Sequence, residues 1–268
     1  MRKVGMIGCG VMGSAIARTL QDEGFVYDID PERARALADG TRFQVSDSLE
    51  TVVQECNLLI LAVKPQTLSS IYPVLRQAGS KEKRWISIAA GVSTSTLAEN
   101  LDTTEVVRYM PNIAARYKQS VTAVAAHPEA GRELLEEAKT IALGFGRVHV
   151  LDERLFDGFT AISGSGVAFI VKFLDSLARG GTEEGLAYPL GLTIAAQTAK
   201  SAVTLIEESG LQPRDLINRV SSAGGTTVEG IKALNDGNLQ ATVMDAVRKT
   251  AQRSRELEEA AANHTERK

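Results

Sequence analysis

Two glycine-bearing segments carry the residue types and spacings that can do chemistry. The first is Gly8-Cys9-Gly10-Val11-Met12-Gly13, straight after the apolar run Lys3 to Ile7; the second is Ser221-Ser222-Ala223-Gly224-Gly225-Thr226-Thr227, ahead of a late helical pattern. Glycines between a strand and a helix make a phosphate cradle. Gly8 allows the tight turn, Gly10 lets a pyrophosphate approach the backbone, and Gly13 lets the following helix pack close to the sheet, its N-terminus facing the anion. Val11 and Met12 complete that corner. In the second segment, glycines expose consecutive backbone N–H groups at a helix start, where the helix dipole favours a carboxylate. Ser222, Gly224, Gly225, Thr226 and Thr227 are the candidate binding residues there, and both threonines can equally serve as N-caps of a helix over 228–234.

Further residues extend the first cradle. Asp28 ends the next apolar run, Phe25 to Ile29, at the spacing at which an acid bonds the adenosine ribose hydroxyls and repels a 2′-phosphate. The expected cofactor is therefore NAD(P)H with NADH favoured, although Arg33 and Arg35 lie within reach of a phosphate. Asp30 before Pro31 reads as a helix cap. Lys64 follows a continuous apolar run and faces the crevice of a doubly wound sheet, where it can steady a pyrophosphate or a substrate acid, or remain solvated.

The elements that must position these residues follow from periodicity. Asn57 to Val63, Trp85 to Ala89 and Glu105 to Met110 are continuous apolar runs of the kind that form buried parallel strands. Ser120 to Ala125 and Arg147 to Leu151 close the series, with a helical pattern over 129–143 between them. From about Glu153 the strand signal stops, and Leu155 to Glu208 reads as apolar helices broken near Gly180, Gly185 and Pro189. The fold expected is an α/β doubly wound Rossmann domain over 1–152, followed by an all-α dimerisation and substrate domain over 153–268. So much apolar helical surface is most readily covered by a second copy, which predicts a homodimer or a larger assembly of dimers.

Composition narrows the class. The chain has 268 residues, 44% of them apolar, and a formal charge of −3, with no basic stripe to suit nucleic acid. No unbroken run of 18 apolar residues and no signal-peptide pattern occurs, which predicts a cytoplasmic protein without membrane association. Cys9 and Cys56 read as buried thiols, and His127, His149 and His264 lack ligand spacing, so no metal is expected. Lys172 and Lys200 read as exposed helix residues, and the tail from Glu256 as frayed.

Five further motifs carry a family resemblance. They are Ala62-Val63-Lys64-Pro65-Gln66, Ala89-Ala90-Gly91, Arg108-Tyr109-Met110-Pro111-Asn112, Ser163-Gly164-Ser165-Gly166, and Gly224-Gly225-Thr226-Thr227 with Arg253-Ser254-Arg255-Glu256-Leu257 downstream. In this order they resemble pyrroline-5-carboxylate reductases, from Val4 to about Leu257. The resemblance implies reduction of the small-molecule cyclic imino acid 1-pyrroline-5-carboxylate to L-proline, the last step of proline biosynthesis. It implies Thr227 as the catalytic hydrogen-bonding residue for the ring nitrogen, with Thr226 lining the pocket and Lys64 beside the cofactor. Ala62, Val63 and Pro65 then form a shelf under the nicotinamide ribose, Ala89 and Gly91 line the same cofactor site, and Asn112 either bonds the nicotinamide carboxamide or initiates a turn. Where relatives carry prolines this chain has Ala114, Val167 and Ala223, and it lacks the asparagine that relatives carry near Leu49. Fewer prolines mean less preorganised loops. The alternatives are a reductase for another cyclic imino acid and a catalytically weak, dinucleotide-binding regulatory paralogue.

Overall fold

A computed structural model describes residues 2–265. The first part alternates: β1 (Lys3–Ile7), α1 (Val11–Ala17), β2 (Glu23–Tyr27), α2 (Pro31–Ala38), β3 (Phe43–Val45), α3 (Leu49–Glu55), β4 (Leu58–Leu61), α4 (Pro65–Gln77), β5 (Arg84–Ser87), α5 (Thr94–Leu101), β6 (Val106–Met110), β7 (Ser120–Ala126), α6 (Arg132–Leu143) and β8 (Gly146–Val150). These strands form one sheet in the order β3-β2-β1-β4-β5-β6-β7-β8. The order reverses between β1 and β4, which opens a crevice at their carboxyl ends. There Ile7 pairs with Tyr27 on one side and Leu61 on the other.

The apolar runs form strands because helices cover both faces of the sheet. Met6, Ile60, Ile86, Val107 and Tyr109 point to one face, while Ile7, Leu59, Leu61, Trp85 and Val106 point to the other, all buried. Each such side chain stabilises the fold by roughly 1.5–3 kcal/mol. The two thiols lie in this interior as expected, and burial pushes Cys9 up to about 12 and raises Cys56 as well.

Several elements differ from the sequence reading. β7 runs antiparallel to β6, with Met110 opposite Ala123. The intervening segment holds only a 3-10 turn, Ile113–Tyr117, and is too short for the crossover that a parallel pair needs. β3 was not anticipated: it is three residues long, too short to show a period. Helix α1 starts at Val11 with Gly10 as its N-cap and stops at Ala17, because Thr19 and Leu20 fold their N–H groups back onto Ile16 and Ala17.

The remainder is helical: α7 (Phe156–Phe159), a π-turn Thr160–Gly164, α8 (Gly166–Glu183), α9 (Tyr188–Ser209), α10 (Pro213–Val220), α11 (Thr226–Asp236) and α12 (Leu239–Thr265). Helix α8 runs through Gly180, and the break falls at Gly185, whose φ is +91°. The tail from Glu256 is helical to Thr265, and the last three residues lie outside the described ones.

Two compact units result, divided differently from the expected boundary at 152/153. The first runs to Gly164 and regains the chain from Thr250; the second is Ser165–Lys249. The boundary moves because Phe156 packs with Ala123 and Ala125 of β7, alongside Leu151 and Phe159, and because the end of α12 belongs to the first unit. Within the second unit, α8 and α9 cross closely at small residues: a Cβ on Gly191 would lie 3.1 Å from the Ala178 carbonyl oxygen.

Candidate cofactor crevice and glycine-threonine turn

In the first unit, the three glycines of the β1–α1 corner are distinguished by what surrounds them. Gly8 has φ +101°, and a Cβ there would lie 2.6 Å from the Ala62 carbonyl oxygen, so the exits of β1 and β4 touch backbone to backbone. A Cβ on Gly13 would collide with the Gly8 carbonyl oxygen. Gly10 is the opposite case: nothing lies within 4 Å of the place its Cβ would occupy, and its φ of −68° strains no residue. Two glycines close the corner and the third leaves it open. That open backbone, at the amino end of α1, fits a pyrophosphate.

Asp28 stands at the end of β2 beside this corner. Its Oδ2 accepts the Cys9 N–H at 2.7 Å and its Oδ1 accepts the Asp30 N–H at 2.9 Å, so the carboxylate fastens the glycine loop to β2 and keeps lone pairs free for a ribose. Ile29 next to it is 90% exposed. Arg33 is paired with Asp30 at 3.2 Å and Arg35 with Glu32, both within α2. Asp30 caps α2 through the Glu32 N–H, with Pro31 at the first helical position.

The crevice's other wall comes from β4 and β5. Ala62 and Val63 are half-buried, Lys64 is exposed at the N-cap position of α4, and Pro65 opens that helix. Ala89 is buried, with its N–H on Ser87 Oγ, and Gly91 follows in the left-handed region at φ +72°. The strand pairing thus brings together Gly8, Gly10, Val11, Met12, Gly13, Asp28, Ala62, Val63, Lys64, Pro65, Ala89 and Gly91 along one edge of the sheet.

Asn112, just after β6, has its amide engaged within the protein. It is buried, its Nδ2 donates to the Ser163 carbonyl oxygen and Oγ, and its Oδ1 accepts the Ala114 N–H. These bonds start the turn after β6 and tie it to the π-turn. Such π-turns mark places where a helix is locally distorted.

Sequence reasoning also passed over an ion cluster around a buried arginine. Arg108, a charged residue inside an apolar strand, is 5% exposed and its Nη1 donates to Glu153 at 2.8 Å and Glu258 at 2.9 Å, with the Phe156 ring beneath it. The signal was that single charge in Val106-Val107-Arg108-Tyr109-Met110.

The second set of residues gathers in the second unit. Ser222 to Gly225 form a turn closed by the Gly225 N–H on the Ser222 carbonyl, with Gly224 at φ +69° in the position that requires it. The turn forms with Ala223 where a proline is common. Gly225, not a threonine, is the N-cap of α11, and no side chain caps that helix. Thr226 and Thr227 are its first two residues, both exposed, so capping is not their task. The N–H groups of this first turn have no intrahelical partner. Just before the turn, Ser221 Oγ is a buried hydroxyl without a partner among the described residues. Lys172 and Lys200 lie exposed on α8 and α9, and no group of His, Cys, Asp and Glu among the described residues is arranged to hold a metal.

Comparison with known proteins bears on the family and the fold. The family model described as pyrroline-5-carboxylate reductase dimerisation matches residues 153–257, and that described as NADP oxidoreductase coenzyme F420-dependent matches 3–91. A pyrroline-5-carboxylate reductase of Methanosarcina acetivorans is 38% identical over 264 residues, covering 96% of this chain and 98% of that protein. Among solved structures, 1-pyrroline-5-carboxylate reductase from Streptococcus pyogenes superposes with a TM-score of 0.86 at 30% identity, covering 95% of this chain and 98% of that one. Pyrroline carboxylate reductase of Plasmodium falciparum with NADP bound gives 0.85 at 26%, with 96% and 98% covered. This chain belongs to the pyrroline-5-carboxylate reductase family.

Proposed function

We propose that this protein reduces 1-pyrroline-5-carboxylate to L-proline with hydride from NAD(P)H. The reading is carried by the pairing, in one chain, of an open phosphate corner at Gly10 with a second helix start, free of any side-chain cap, at Gly224-Gly225-Thr226-Thr227. The nicotinamide supplies the hydride when bound. The protein's part is to bind and orient. Gly8, Gly10 and Gly13 with α1 hold the pyrophosphate, Val11 and Met12 flank it, and Ala62 to Pro65 with Ala89 and Gly91 line the nicotinamide side. Lys64 lies beside the phosphates.

At the other helix start, the N–H groups that follow Gly224 and Gly225, with Ser222 and Thr226, hold the substrate carboxylate. Thr227 Oγ1 accepts from the protonated ring nitrogen. As hydride reaches the imine carbon, the C=N π electrons become the nitrogen lone pair, and Thr227 turns its O–H to donate to it. The resulting amine takes its last proton from solvent. Steady-state assay with 1-pyrroline-5-carboxylate and either dinucleotide tests this directly, and no turnover with either would overturn it.

NADH is the favoured donor in this reading, because Asp28 faces the ribose, Ile29 offers nothing to a phosphate, and both nearby arginines are already paired. Asp28→Ser with Ile29→Arg is expected to shift the kcat/KM ratio toward NADPH, at lower absolute affinity because the Cys9 N–H loses its acceptor. A native protein that used NADPH about tenfold more efficiently, equivalent to ~1.4 kcal/mol, would contradict this.

The assembly is at least a homodimer. Ile170, Val171, Leu190, Ile194, Val203 and Ile206 lie on α8 and α9 with side chains 47–60% exposed, a large apolar surface for a lone chain. The stretch Glu153–Glu183 is long and apolar enough to cross a membrane by length and composition. A second copy covering these faces accounts for it instead, in keeping with the reading of a cytoplasmic protein. Sedimentation is expected to give at least twice 28.7 kDa at micromolar concentration, and a monodisperse monomer would rule it out.

A further inference from the structure

The loop between β5 and α5 is held at both ends by its own surroundings. At the start, the Ile88 N–H bonds the Leu61 carbonyl and the Ala89 N–H bonds Ser87 Oγ. At the finish, Ser93 caps α5, and Glu153 accepts from the Thr94 N–H at 2.9 Å and from Thr94 Oγ1 at 2.6 Å. The middle is different. Gly91, at φ +72°, packs against backbone of α12: a Cβ there would lie 3.4 Å from Glu258 Cα and 3.6 Å from the Leu257 carbonyl carbon. The end of α12 is thus the surface on which the middle of this loop rests.

That helix end has one polar tie to the sheet among the described residues. Glu258 Oε1 accepts from Arg108 Nη1 at 2.9 Å, while the neighbouring charged residues Arg253 and Glu256 bond each other at the surface. Glu153 is held four ways, by Arg108 and by Thr94; Glu258 is held by Arg108 alone. Removing Glu258 therefore frees the helix end without leaving Arg108 uncompensated, since Glu153 remains.

We propose that Glu258 is a positioning residue for the cofactor: through Arg108 it seats the end of α12 under Gly91 and fixes the Ala89–Gly91 wall of the crevice. It touches no reacting atom. The inference rests on the cofactor reading of that wall and on no assumption about the imine.

The test measures NADH dissociation constants by fluorescence on the full-length protein without imine, with melting temperatures on the same samples. Glu258→Ala is expected to raise the dissociation constant about fivefold, the range of one charge-assisted hydrogen bond lost at a distance. Glu258→Gln, which keeps an acceptor for Arg108, is expected to stay within about twofold of the native value, and Glu259→Ala, an exposed neighbour, is expected to leave it unchanged. Native affinity in Glu258→Ala, an equal loss in Glu258→Gln, or an equal loss in Glu259→Ala would each overturn the proposal. Failure of the native protein to bind NADH or NADPH would instead remove the crevice reading beneath it.

Discussion

Thr227→Ala is expected to lower turnover by about tenfold or more while leaving dinucleotide affinity unchanged. One interaction that strengthens during hydride transfer is worth on the order of 1.4 kcal/mol or above, which is that factor in rate. The structure sharpens the control. Because Gly225 caps α11 and no side chain assists it, losing the Thr227 hydroxyl removes no cap, and the melting temperature should hold. Thr227→Ser should retain most activity. Turnover, dissociation constant and melting temperature on the three proteins separate chemistry from folding; unchanged turnover in a stable Thr227→Ala protein would remove Thr227 from the mechanism.

The second large effect is a contrast between neighbouring glycines. Gly13→Ala pushes a methyl group into the Gly8 carbonyl, a backbone collision that neither α1 nor β1 can relieve without moving. Overpacking of this kind costs about 3 kcal/mol, which lowers the melting temperature by roughly 6–12 °C in a chain of this size. Gly10→Ala meets open space in an unstrained conformation and should melt with the native protein. Its methyl stands where the pyrophosphate approaches, so the NADH dissociation constant should rise about tenfold or more, corresponding to ~1.4 kcal/mol. Calorimetry paired with titration reads both. A Gly10→Ala protein that binds NADH normally would show that no phosphate lies over that backbone.

The parts of the fold that were legible in the sequence are those written as runs. Leu58 to Leu61 is apolar on both faces, and the glycine corner sits at the strand-to-helix turn with Asp28 at the end of the neighbouring strand. Direction was harder. The antiparallel course of β7 is encoded not in Ser120 to Ala126 but in the brevity of the connection before it. Asn112 is ambiguous because the same amide suits a ligand or a turn, and its partner Ser163 is distant in the chain. The threonines suit a ligand or a cap by type, and a glycine holds the cap position: Gly224 turns the chain at φ +69° and Gly225 after it is extended. Glu258 lay beyond reach. Its partner is 150 residues away, and nothing local marks it apart from Glu256 or Glu259.

That separation has a consequence in time. A ribosome adds about 5–20 residues per second, so Arg108 emerges on the order of 10 s before Glu258. During that interval the sheet can assemble, and Arg108 can find Glu153, but the loop carrying Gly91 has nothing beneath it. Contacts between distant residues are also the slow ones to form. The Gly91 loop, made early, meets the backbone it rests on only once α12 has been made.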